Sequence, residues 1–260
     1  MLTLIHQEIF KLLKKKSTYW ASIILILVVI GISFICKIYP KTFPGQMFFT
    51  SSFGSDSWVM FVMIAACASI ISMEFQYGTI KEVIYQQYSR ETVLISKWIT
   101  MFLYSVYLYL LTGLAALVGK VLFLNNTFSI TQIDKVSNGH ITYLMQWFVS
   151  LGSSFVSLWL VLSVVFLFAT LFKTSTMAVS VGIIAFFAFS AVSTLMFSVI
   201  AKHNWVKWNP FNFLNFANQI GDPARSTLTK LSDAQLFVGS ILYTVLFLLI
   251  GLLSFRRKNV

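Results

Sequence analysis

Six stretches of the chain carry no Asp, Glu, Lys or Arg over lengths that suit a bilayer-crossing helix: Ser17 to Cys36, Ser57 to Met73, Trp98 to Gly119, Val136 to Phe172, Thr174 to Ala201 and Leu236 to Phe255. Such a helix needs about 20 mostly apolar residues, because each rises about 1.5 Å across a hydrocarbon core of about 30 Å. The second stretch is the shortest and borrows turns from Phe53 or Glu74 at its ends. The fourth exceeds one span and contains the polar cluster Ser137, Asn138, Gly139 and His140, which confines its membrane part to 147–172. Lys173 then sits alone in a tight turn before the fifth span. The longest polar stretch, 202–235, is below the size at which a domain usually folds alone. The pattern predicts an all-α integral membrane protein, a single transmembrane domain over 1–260, with spans near 17–36, 57–73, 98–119, 147–172, 174–201 and 236–255.

Two polar segments have a helical period of their own. In 1–16, Leu2, Ile5, Ile9, Leu12 and Leu13 share one face while Gln7, Glu8, Lys11, Lys14 and Lys15 take the other, the pattern of an interfacial amphipathic helix with lysines at anionic headgroups. It serves either as a basic anchor or as a mechanical element. In the loop 74–97, Gly78 breaks the preceding helix, and Thr79 with Glu82 forms a capping box that starts a new one. Ile80, Val83, Ile84 and Tyr88 then line one face of a helix too short to persist alone in water, so it must lie on lipid or on a partner.

Composition removes the soluble alternatives. Hydrophobic residues make up 58% and charged residues 10% of the chain, against roughly a quarter charged in soluble domains. The net charge of +11 reflects retention of Lys and Arg on the cytoplasmic side of a membrane, and no nucleic-acid partner is expected. With both termini cytoplasmic, the basic clusters Lys11 to Lys16 and Arg256 to Lys258 lie inside, together with Lys81, Arg90, Lys97 and Lys173.

The external segment 202–235 contains Trp205, Trp208, an Asn209-Pro210 turn and a short helical face of Phe213, Phe216, Ala217 and Ile220. Tryptophans at this depth suit an aromatic belt. Ser232 and Gln235 form a second capping box and set the start of the sixth span. Ser153 with Ser157, and Ala178 with Gly182, give small-residue faces for close helix packing.

Enzymatic chemistry finds little support. The run Gly113 to Val121 resembles a P-loop, but its glycines are one residue too far apart and Val121 replaces the Ser or Thr that meets magnesium. His6, His140 and His203 are scattered, which argues against zinc and against an intramembrane Ser-His pair. The spans as drawn hold no ionisable residue, which argues against ion coupling.

A Glu at the cytoplasmic end of the second span, then Gly-Thr, an apolar stripe, and Arg and Lys leading into the third span resemble the signature of the ABC-2-type exporter permeases. The matching residues are Glu74, Gly78, Thr79, Arg90 and Lys97. The resemblance implies that 74–97 carries a coupling helix, with Ile80, Glu82, Val83 and Ile84, seated in a groove of a separate ABC ATPase that the amino-terminal helix also touches. It implies short external helices between spans five and six, where Trp205, Trp208, Pro210, Phe213 and Phe216 would lid the transport path. It further implies two ATPase copies holding ATP and magnesium, no cofactor in this chain, a second permease copy or related permease, and a bacterial plasma membrane. Small six-span permeases of this kind resemble those that export, or protect against, amphipathic bacteriocins or cytolytic peptides; lipid and hydrophobic drugs are equally compatible cargo. The rival is a non-transporting membrane scaffold, or an intramembrane enzyme acting on lipid or peptide.

Overall fold

The computed structural model describes residues 1–77, 89–133, 141–172 and 174–257. Within them lie six helices long and apolar enough to cross a membrane. The interfacial helix α1 (Leu2–Lys14) turns at Lys15 into α2 (Lys16–Ile38). A short α3 (Gly45–Thr50) and a 3-10 turn (Ser52–Gly54) lead into α4 (Ser55–Tyr77). Next come α5 (Arg90–Phe123), α6 (Tyr143–Leu171) and α7 (Ser175–Lys202). The short helices α8 (Pro210–Phe213), α9 (Phe216–Gly221) and α10 (Ser226–Thr229) precede α11 (Asp233–Arg257).

The helices outrun the uncharged stretches. α5 begins at Arg90 rather than Trp98, because Ser89 Oγ accepts the Thr92 N–H at 3.2 Å and Glu91 suits the first turn. Likewise α6 begins at Tyr143, capped by Thr142. Charge marks where hydrocarbon ends, not where backbone hydrogen bonding does. The loop drawn over 74–97 therefore shrinks: Glu74 belongs to α4, and Arg90 and Lys97 to α5. Gly78, Thr79, Ile80, Glu82, Val83 and Ile84 lie outside the described residues, as do the 137–140 polar cluster and Lys173.

α6 is the hub. It packs against α11, α4, α7, α9 and α3, and 67% of its apolar window is buried, against 11% for α7. Ser153, Ser154, Ser157 and Ser163 are buried along it. The small pair on α7 works as the spacing suggests: Ala178 is buried, and a Cβ on Gly182 would stand 2.9 Å from Ile64 Cγ2 of α4, so glycine sets that approach.

The turn before α4 is locally strained. Ser52, Phe53 and Gly54 have φ of 50°, 55° and 71°, and a left-handed non-glycine residue costs roughly 1–3 kcal/mol. Burial offsets it: Phe49 and Phe53 are fully enclosed, the Trp147 ring stacks on Phe49 at 5.9 Å, and Trp147 Nε1 donates to Ser52 Oγ at 2.9 Å.

Candidate functional site

At the α1 end of the bundle the charged groups converge. α1 is docked by Leu4 and Glu8, both buried, while Leu2 and Leu13 of the expected apolar face are exposed. Glu8 therefore does not belong to an outward polar face. Lys97, buried two turns into α5, draws it inward: Lys97 Nζ lies 3.2 Å from Glu8 Oε2, and Lys11 Nζ donates to Glu8 Oε1 at 2.8 Å. Burial pushes the Glu8 carboxyl up, but the Lys97 and Lys11 ammonium groups outweigh it and hold the group below its ordinary value. Glu8 is the residue that pattern reading missed; an acid four residues after Leu4 on the docked stripe was the available signal. At the same end Arg256 Nη1 sits 3.4 Å from Glu91 Oε1, tying the end of α11 to the start of α5 across an exposed gap.

Beside this ion pair a cavity of about 670 Å³ opens between α1, α2, α4 and α5, within the range of ligand pockets. Its charged residues, Glu8, Lys11, Lys15 and Lys97, come from α1, the turn after it and α5; its walls are largely the apolar residues of α4.

Among the described residues, the opposite end is closed without ion pairs between the long helices. Asn209 caps α8, accepting the Asn212 N–H at 3.0 Å, with Pro210 in the first turn. Asn212, fully buried, donates to the Lys207 and Thr229 carbonyls at 2.8 and 3.0 Å. Gln219 donates to Leu231 O at 3.1 Å and to Asp233 Oδ1 at 2.7 Å, and Gln146 of α6 reaches Ile220 O at 3.0 Å. Lys230, left-handed at φ 52°, donates to the Ile200 and Ala201 carbonyls at the end of α7. The Ser232–Gln235 capping box forms in both directions, at 2.9 and 3.3 Å.

The expected lid residues divide. Phe213 and Phe216 are buried with Leu160, Leu231 and Leu236, and the Phe213 ring occupies the space a Cβ on Gly239 would need. Pro210 is half-buried. Trp205 and Trp208 are exposed, at 79% and 48%, as an aromatic belt requires.

The spans as drawn hold no ionisable residue, but the helices that carry them do: Lys97 and Lys120 lie buried in α5, and Asp56 lies at the start of α4. It sits in the first turn of α4, and Ser154 of α6 donates to its Oδ2 at 2.7 Å. The drawn span started at Ser57 and so stopped one residue short of it; the premise against ion coupling falls at this position.

A family model described as "ABC-2 family transporter protein" matches residues 4–191. The chain is 29% identical over 224 residues to the uncharacterized membrane protein YdbK of Bacillus subtilis (strain 168), covering 85% of this chain and 84% of that protein. It is 26% identical over 215 residues to the uncharacterized protein YhcI of the same organism, covering 77% of this chain and 64% of that one. Members of the matched family lack ATPase domains and work with an ABC ATPase subunit. A match over most of its length, joined to six long apolar helices, makes this chain a multi-pass membrane protein of the ABC-2 transporter family.

Proposed function

We propose that this chain is the membrane-spanning subunit of an ATP-driven exporter, with the α1 end in the cytoplasm and a separate ABC ATPase, in two copies, seated there. One observation carries the reading: α1, itself expected to touch the ATPase, and the start of α5, which follows the expected coupling segment, are joined by the Glu8–Lys97 pair at 3.2 Å. Movement imposed on the loop before α5 reaches α1 directly, and through it α2. Glu74, Gly78, Thr79, Ile80, Glu82, Val83, Ile84 and Arg90 form the coupling segment in this reading, with Lys97 as its anchor to the bundle. A second permease copy, or a related permease, completes the pathway, and the largely exposed α7 offers apolar surface for it.

The cargo is amphipathic or hydrophobic, a bacteriocin or cytolytic peptide being the class that resemblance to small six-span permeases suggests. At the outer end Phe213 and Phe216 plug the bundle, while Trp205 and Trp208 anchor it at the interface. Energy comes from ATP and magnesium on the partner, since the chain has no P-loop. Purified alone the chain should hydrolyse no ATP, and turnover should appear when the ATPase is added. A reporter fused after Gln87 should be cytoplasmic and one after Asn212 external. Turnover by the isolated chain, or both reporters on one side, would overturn the reading.

A further inference from the structure

The 670 Å³ cavity at the α1 end is polarised along its depth. From Met73 back to Val62 it follows three turns of α4, about 16 Å at 1.5 Å per residue and so about half of a hydrocarbon core. Of the five hydroxyl residues on its wall, two are turned to backbone, Thr18 Oγ1 donating to Leu12 O at 2.8 Å and Ser69 Oγ to Ala66 O at 3.0 Å; Ser17, Tyr104 and Ser175 complete the polar lining. Alongside Val62, Ala65, Ala66, Ile70 and Met101 a ligand meets largely apolar surface. The charges come from α1, the turn after it and α5: Lys11 and Lys15 are exposed, Glu8 and Lys97 buried. Among the described side chains lining it, Lys11, Lys15 and Lys97 oppose the single carboxylate Glu8.

We propose that this cavity is a binding site for an anionic phospholipid of the cytoplasmic leaflet, its headgroup on Lys11 and Lys15 beside the Glu8–Lys97 pair and one acyl chain along α4. Apolar depth matched to half a bilayer selects a chain of lipid length, and the basic mouth selects its charge. A cationic peptide would meet like charges there. The α1-end orientation comes from the exporter reading, and whether the bound lipid is cargo rests on that reading too; binding itself needs neither ATPase nor nucleotide, so the two can fail separately.

The test uses the full chain in nanodiscs containing phosphatidylglycerol or phosphatidylcholine with a photoactivatable group on the acyl chain, with the crosslinked peptides mapped. Phosphatidylglycerol should label the Val62–Met73 stretch of α4 at least fivefold more than phosphatidylcholine. Ala66→Phe, which fills the shaft, should abolish that label while the lipid-facing label at Ile184 and Phe187 of α7 stays. Lys11→Gln with Lys15→Gln alters exposed side chains, so folding is kept; at about fivefold per lysine, the loss of both should abolish the preference for phosphatidylglycerol. Equal labelling by the two lipids would overturn the proposal. So would an unchanged preference in the double lysine variant, or displacement of the label by a cationic Lys/Leu amphipathic peptide at concentrations where added phosphatidylglycerol is without effect.

Discussion

The two ends of the bundle are held by different physics. At the α1 end, charges meet at close range beside a cavity: Glu8 with Lys97 and Lys11, Glu91 with Arg256. At the opposite end, the bonds that join segments are mostly neutral side-chain amides on backbone carbonyls, set over aromatic packing. Neutral hydrogen bonds fix one arrangement and are costly to leave unmade. An ion pair beside open space can be remade with another partner. The difference suits a machine driven from one end and braced at the other.

The comparison breaks most sharply at Glu8. Replacing it by Leu takes a carboxylate away from the buried Lys97 ammonium, which should destabilise the purified chain by up to about 3 kcal/mol, and pairing it with Lys97→Met should restore most of that. Thermal unfolding in detergent reads both; additive losses would mean that the two groups are not coupled. At the braced end, Asn212→Ala leaves the Lys207 and Thr229 carbonyls without their donor, a loss of about 2 kcal/mol by the same measurement.

Acid separates the ends more gently. The Glu8 carboxyl is held below its ordinary value of 4.5, so its stabilisation is present above that pH and is lost as pH falls through the depressed folded value. Across neutral pH nothing should change. Protease cleavage within α1 should rise only in strongly acidic buffer; a rise near pH 7 would mean the pair is not what docks the helix. The smallest effect belongs to Trp205→Ala, an exposed belt residue expected to stay within about 0.5 kcal/mol of the parent.

Much of this was legible in the sequence, for identifiable reasons. The spans showed themselves because hydrocarbon excludes charge, and the Ser232–Gln235 box because capping chemistry is local. The Asn-Pro turn marked the start of the short helices, but the single face expected over Phe213, Phe216, Ala217 and Ile220 is divided, Phe213 ending one helix and Phe216 starting the next. The helices run beyond the charge-free stretches, to Arg90 and Tyr143, since helices project past the hydrocarbon. Glu8 and Asp56 were missed because each is paired through space, with Lys97 and Ser154, and amphipathic period cannot see a partner 89 or 98 positions away. The same limit hid the neutral network around Asn212 and Gln219.

The central claim, that the α1 end engages a separate ATPase, is tested most directly at Ile84. Replacing it by Asp puts a charge into the contact where an apolar stripe would seat, at a desolvation cost of several kcal/mol. The spans lie elsewhere, so membrane abundance should stay normal. The account predicts that the tagged Ile84→Asp chain no longer pulls down its ATPase, while Glu74→Ala retains partial recovery. Undiminished recovery of the ATPase with Ile84→Asp at normal abundance would contradict it.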